Sequence, residues 1–235
     1  KKGGCDLFVV STNKEKQTIV ENFEYEPDEV INTGLPRWDV LKDKSQGKRE
    51  ILIMPTWRNW LDSVPDKDFE ESDYFRHYMG LLNSERLNQI LEKYDLEVNF
   101  YLHAKFQEYA DTFKSISKRI HLISFGEVAV NEMLMRCRML ITDYSSVCWD
   151  ILYQDKPSLF YQFDIEKYNE AHGSYIDMET ELFGDRAATQ EQLLDYLEET
   201  VQNDFHLKPE YEKMRGEYLQ FKDHEHSRHI CEEIK

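Results

Sequence analysis

Glycine and proline are scarce, with Gly 9 and Pro 6 in 235 residues, which leaves no room for a collagen-like, linker-rich or low-complexity chain. No stretch approaches the roughly 20 apolar residues that span a bilayer, and no charged-then-apolar leader opens the sequence. Basic charge is in the minority: Lys+Arg 29 against Asp+Glu 46 gives a formal net charge of −17. A field of that sign repels nucleic acid and anionic lipid, so any hold on a polyanion needs a local basic patch. The four cysteines, Cys5, Cys137, Cys148 and Cys231, show no metal-ligand or redox spacing. They read as free thiols in a reducing cytoplasm, with Cys137 and Cys148 in apolar runs. Also missing are GxGxxG, GxxxxGK[ST], GxSxG and HExxH, so dinucleotide oxidoreductases, P-loop NTPases, serine hydrolases and zincins have no footing.

What remains is 40% hydrophobic and 13% aromatic, enough for one large or two small packed domains. Short apolar runs alternate with amphipathic stretches. Asp6 to Ser11, Val30 to Thr33, Glu50 to Met54, Glu97 to Leu102, Ile120 to Ile123, Met139 to Thr142 and Pro157 to Tyr161 read as strands. Between them the spacing predicts helices over 13–22, 74–94, 106–113, 128–137 and 146–153, and the chain turns wholly helical after Gln190. Strands separated by helices imply a parallel α/β sheet covered on both faces, with ligands at the carboxyl ends of the strands. The polar stretch Lys42 to Lys48 reads as a linker.

Three strand ends carry candidate chemistry. Thr142-Asp143-Tyr144-Ser145-Ser146 stands between a strand and a helix start, where hydroxyls and free N–H groups can bind an anion. Plain N-capping by the serines accounts for the same residues. Pro55-Thr56-Trp57-Arg58-Asn59 sets an arginine fork at a second strand end, either for a phosphate or as an ion pair. His103 ends a third strand and suits a general base, a cation facing a phosphate, or a capping or core histidine. The trio His224, His226 and His229 looks metal-like at first sight, but only the last two have helical spacing, and a solvated helix face explains them as well.

Taken in order, several strings resemble one family. Leu140-Ile141-Thr142-Asp143-Tyr144-Ser145-Ser146-Val147, Lys156-Pro157-Ser158-Leu159-Phe160-Tyr161 and Asp164-Ile165-Glu166-Lys167-Tyr168 are similar to the CDP-glycerol glycerophosphotransferases. These are the teichoic-acid polymerases and primases and the related capsule polymerases. Thr33-Gly34-Leu35-Pro36-Arg37-Trp38-Asp39 and Met54-Pro55-Thr56-Trp57-Arg58 resemble the same family, and His172-Gly173 stands where it has an Arg-Gly-aromatic stretch.

The resemblance implies a GT-B-like α/β enzyme that moves a polyol phosphate from CDP-glycerol or CDP-ribitol to a polymer on a lipid carrier. Residues 1–45 would be the tail of an amino-terminal acceptor domain with its linker. Residues 46–235 would be a Rossmann-type, CDP-polyol-binding domain with a helical carboxyl terminus, the last helices packing back from about Tyr211. Thr56, Arg58, Thr142, Asp143, Ser145 and Ser146 would lie at the donor phosphates, and His103 would be catalytic, with Leu102-His103-Ala104 in place of Leu-His-Pro. The family's other essential histidine, in a Trp-His-Gly motif, is absent, which implies a carboxyl-terminal fragment or one subunit of a split enzyme. The expected site is a cytoplasmic one, peripheral at the inner face of the membrane through that missing part. No nucleic acid, metal or cofactor is indicated. Two alternatives stay open: a GT-B glycosyltransferase or sugar-nucleotide epimerase using a UDP-sugar, and a nucleotide-binding partner subunit without catalysis of its own.

Overall fold

A computed structural model describes residues 4–234. Lys1–Gly3 and Lys235, which the expected domain ranges include, lie outside the described residues. The chain forms two compact units, one from residues up to 42 with Tyr153–Asp155 and the segment from Leu207, the other from Asp43–Leu152 and Lys156–His206. The expected range 46–235 therefore differs from the second unit, because the carboxyl-terminal helices belong to the first.

The second unit is a six-stranded, all-parallel sheet of β3 (Glu50–Ile53), β4 (Glu97–Tyr101), β5 (Ile120–Ile123), β6 (Met139–Thr142), β7 (Ser158–Tyr161) and β8 (Asp185–Ala187). Its order is β5-β4-β3-β6-β7-β8. Registers such as Ile53↔Phe100 and Ile53↔Ile141 align the strand ends on one rim. The order reverses between β3 and β6, so the loops after these two strands flank the crevice where doubly wound sheets take their ligands. The central strands are continuous apolar runs because helices cover them.

The helices of this unit are α2 (Asp66–Glu70), α3 (Asp73–Leu82), α4 (Glu85–Lys93), α5 (Val130–Arg136), α6 (Val147–Tyr153, which runs into the first unit), α7 (Ile165–Ala171) and α8 (Gln190–Gln202). Tyr78, Leu81, Leu87, Leu91, Leu193 and Leu197 bury against Ile51, Ile53, Val98 and Ile141. Each such side chain contributes about 1.5–3 kcal/mol of burial. The single helix expected over 74–94 is two: Asn83 closes α3, and the Ser84 hydroxyl accepts from the Leu87 N–H to cap α4. The expected helix over 106–113 is a 3₁₀ segment, Ala104–Thr112.

The first unit holds a two-stranded parallel sheet, β1 (Phe8–Val10) with β2 (Val30–Asn32), beside α1 (Asn13–Asn22), α9 (Pro209–Tyr218) and α10 (His226–Glu233). His226 is its buried pin. The imidazole contacts the Thr33 carbonyl (2.7 Å) through Nδ1 and the Tyr153 hydroxyl (2.9 Å) through Nε2. Asp39 accepts from the backbone N–H groups of His226 (2.7 Å) and Ser227 (3.0 Å). Gly34 has φ +71, and a Cβ there would strike the His226 ring. The Thr33-to-Asp39 string thus seats α10. His229 pairs with Asp223 and His224 with the Trp38 carbonyl, so the histidine trio is occupied by protein contacts. Among the described residues no group of three or more His, Cys, Asp or Glu is arranged to hold a metal ion. Nor, among the described residues, is any helix long and apolar enough to cross a membrane. Cys137 and Cys148 are buried free thiols, Cys137 with its pKa pushed up by burial to about 12.

Candidate functional site

The loops after β3, β6 and β7 are tied together from beneath by one arginine. Arg58, expected at the donor phosphates, is 0% exposed. Its Nε donates to Asp164 Oδ2 (2.8 Å), and Nη1 donates to the Thr56 carbonyl (2.6 Å). Nη2 reaches Asp164 Oδ1 (3.0 Å) and Asp143 Oδ2 (2.9 Å). With every nitrogen of the fork engaged, this guanidinium is a structural hub rather than a group on the cleft wall. Burial works against its charge, yet Asp143 and Asp164 outweigh it and hold the pKa well above the ordinary arginine value. The rings of Tyr74, Tyr144 and Tyr168 lie within 5.6 Å of the guanidinium carbon and complete its shell.

Asp143 and Thr142 are likewise turned inward. Asp143 is buried, accepting at Oδ1 from the backbone N–H groups of Thr56 (2.8 Å) and Tyr144 (2.7 Å) and at Oδ2 from the Tyr78 hydroxyl (3.1 Å). The Thr142 hydroxyl donates to the Met54 carbonyl (2.7 Å), stitching the ends of β6 and β3 together. Both were expected at phosphates; their side chains bond within the switch-point loops. Gln162 adds to the frame by donating to the Asp143 carbonyl (3.0 Å).

Above this frame lies the solvent-facing tier. Ser145 is half-buried and Ser146 exposed, just before α6, and the Ser145 hydroxyl lies 3.4 Å from the Val147 N–H. Thr56 belongs below that tier: its hydroxyl oxygen is buried and has no hydrogen-bond partner among the described residues. Such an orphan costs about 1–3 kcal/mol until something bonds to it. His103 is half-buried at the end of β4. Its Nδ1 accepts from the Lys105 N–H (3.1 Å), capping the 3₁₀ segment. A neutral imidazole held that way carries its proton on Nε2, which then donates. Burial holds its pKa below the ordinary 6.5, against an opposing pull from Asp143. With Nδ1 engaged by the Lys105 N–H, Nε2 is the ring nitrogen of His103 left for another partner.

Sequence reasoning passed over the aromatic lining. Trp57 stacks on His103 (centroids 6.2 Å) and meets His172 edge-on (6.3 Å). Trp60 approaches His172 (6.3 Å), and Tyr168 stacks on Tyr144 (3.6 Å) and His172 (4.8 Å). The ammonium groups of Lys105 and Lys167 stand over Trp57 (5.4 Å) and Trp60 (4.8 Å). The usable signal was Trp57 and Trp60 three residues apart in a loop that leaves a strand end.

The sequence profile of the family CDP-Glycerol:Poly(glycerophosphate) glycerophosphotransferase matches residues 1–235. The minor teichoic acid biosynthesis protein GgaB of Bacillus subtilis (strain 168) is 30% identical over 231 residues, covering 92% of this chain and 25% of GgaB. The teichoic acid glycerol-phosphate transferase of Staphylococcus aureus (strain NCTC 8325 / PS 47) is 26% identical over 252 residues, covering 97% of this chain and 60% of the relative. The solved structure of the wall teichoic acid polymerase TagF superposes with a TM-score of 0.73 at 20% identity, over 97% of this chain and 57% of that one. That likeness bears out the expected α/β, GT-B-like fold. The chain spans between a quarter and three-fifths of the length of these relatives. It belongs to the CDP-glycerol:poly(glycerophosphate) glycerophosphotransferase family.

Proposed function

We propose that this chain is the donor-binding part of a transferase that passes glycerol phosphate or ribitol phosphate from a CDP-activated donor to a growing teichoic acid or capsular polymer. The observation that carries the reading is the switch-point crevice of a family member. There, Ser145 and Ser146, the orphaned Thr56 hydroxyl and the Nε2 of His103 follow three neighbouring strands, β6, β3 and β4. All four are hydrogen-bond donors, which is the equipment a diphosphate needs.

In this reading Ser145, Ser146 and Thr56 hold the diphosphate, and His103 donates to the phosphoryl group as charge builds on it. The acceptor's terminal hydroxyl oxygen attacks the β-phosphorus. The bond from that phosphorus to the bridging oxygen breaks, CMP departs with the electron pair, and the hydroxyl proton leaves to solvent. Positioning and charge stabilisation suffice for such a transfer, without a covalent intermediate. Arg58, Thr142 and Asp143 keep the loops in register and touch no phosphate. The first unit is the tail of an acceptor domain, and the acceptor arrives on a lipid carrier at the inner face of the membrane. In this reading the protein is cytoplasmic and works at the inner face of the membrane.

Calorimetry tests the donor seat. CDP-glycerol or CDP-ribitol should bind the wild type, bind a Ser145→Ala/Ser146→Ala variant at least about tenfold more weakly, and outcompete UDP-sugars. Equal affinity of the variant and the wild type for the CDP-polyol would reject the site.

A further inference from the structure

The rim carries a cluster that the donor reading leaves unused: Trp60, Lys167 and His172, joined to His103 through Trp57. Several lysines and arginines of this unit are paired with carboxylates, as in Arg86 with Glu191 and Asp195, Lys93 with Glu198, and Arg136 with Glu50. Among the described residues no carboxylate lies within ion-pair distance of the Lys167 ammonium, which rests over the Trp60 ring at 4.8 Å and acts on Asp73 only from longer range, helping to lower its pKa. His172 is exposed at the end of α7, with neither ring nitrogen hydrogen-bonded to another described residue. Lys105, beside Trp57, keeps a loose pairing with Asp62 (3.5 Å).

The cluster is held in place. Tyr168 and His172 lie one helical turn apart and stack on each other. Asp164, at the start of the same helix, is clamped by Arg58. Trp57 follows β3 and Trp60 sits on the short 3₁₀ turn Asn59–Leu61, and both indoles lie against His172.

We propose that Trp60, Lys167 and His172 form a seat for the last phosphodiester of the acceptor chain, one polyol away from the hydroxyl that reacts beside His103. This rests on the transferase reading above and names the second substrate's place within it. A polyol-phosphate chain alternates C–H-rich carbons with single negative charges. An indole face suits the first, and an unpaired ammonium with a free imidazole suits the second. The formal net charge is −17, so a polyanion can settle only where cations are locally uncompensated. Trp57 then separates the two anion seats, with His103 on the donor side and His172 on the acceptor side.

The test uses tryptophan fluorescence with a synthetic glycerol-phosphate oligomer, and calorimetry with CDP-glycerol, on the same proteins. The oligomer should quench the wild type in a salt-sensitive manner. Lys167→Gln/His172→Gln should weaken oligomer binding by about tenfold or more and leave CDP-glycerol affinity within about twofold. Lys167→Arg, which keeps the charge, should retain oligomer binding. The seat is refuted if the oligomer fails to bind the wild type, binds the double variant equally, or if the double variant loses CDP-glycerol as well. Failure of the donor reading shows separately, as unchanged CDP-glycerol affinity in Ser145→Ala/Ser146→Ala.

Discussion

The buried floor of the crevice and its open rim are built from the same loops, yet they are electrostatic opposites. On the floor Arg58, Asp143 and Asp164 satisfy one another completely, and no atom of Arg58 or Asp143 reaches solvent. On the rim His172 and Lys167 lack hydrogen-bond and ion-pair partners among the described residues and His103 uses only one nitrogen, while just beneath them the buried Thr56 Oγ1 has no partner either. Saturated polar groups hold shape, and unsaturated ones are available to a ligand. The same contrast separates two histidines: His226 spends both nitrogens inside the first unit, while His103 keeps one for the cleft.

The largest expected effect comes from breaking the floor. Arg58→Met leaves two carboxylates without their cation and should cost about 3–5 kcal/mol, read as a shift of the denaturant midpoint. A loss below about 1 kcal/mol would put Arg58 with the rim groups. Next comes His226→Ala, which strands the Thr33 carbonyl and the Tyr153 hydroxyl and should destabilise by about 1–3 kcal/mol in the same assay. His103→Gln should barely move that midpoint while abolishing most transfer activity. If the two histidine variants destabilise equally, the contrast between them is gone.

The rim serines reverse the pattern. Ser145→Ala/Ser146→Ala should cost less than about 1 kcal/mol in stability while losing about tenfold or more in donor affinity. The smallest effect concerns pH. Because burial depresses the His103 pKa, the unfolded chain binds more protons there than the folded one. The associated stability is present above the ordinary value of 6.5 and is lost as pH falls through the depressed one. NMR titration should place the His103 midpoint below 6.5, and His103→Gln should slightly flatten the acid limb of stability against pH. A midpoint above 6.5 would mean that Asp143 outweighs burial.

The sheet was legible because its central strands, Ile51–Ile53 and Leu140–Ile141 above all, are unbroken apolar runs. The strand β8 was not, since Asp185-Arg186-Ala187 is a three-residue edge strand with two charged residues. The break between α3 and α4 was hidden because apolar spacing continues through Asn83-Ser84, and only the cap ends the turn. In the site, strand ends located every loop, but not which way a side chain turns. Arg58 points inward because Asp143 and Asp164 leave the ends of β6 and β7 with uncompensated charge, a pairing that depends on strand order. The meeting of Trp60, Lys167 and His172 was not legible because a 3₁₀ turn and α7 bring them together across more than a hundred residues of sequence.

A crystal structure with CDP-glycerol bound tests the central claim most directly. The diphosphate should lie on Ser145, Ser146 and Thr56 with His103 Nε2 against the phosphoryl group, while Arg58 keeps Asp143 and Asp164. A guanidinium released from those carboxylates to grip phosphate, with the serines untouched, would contradict it.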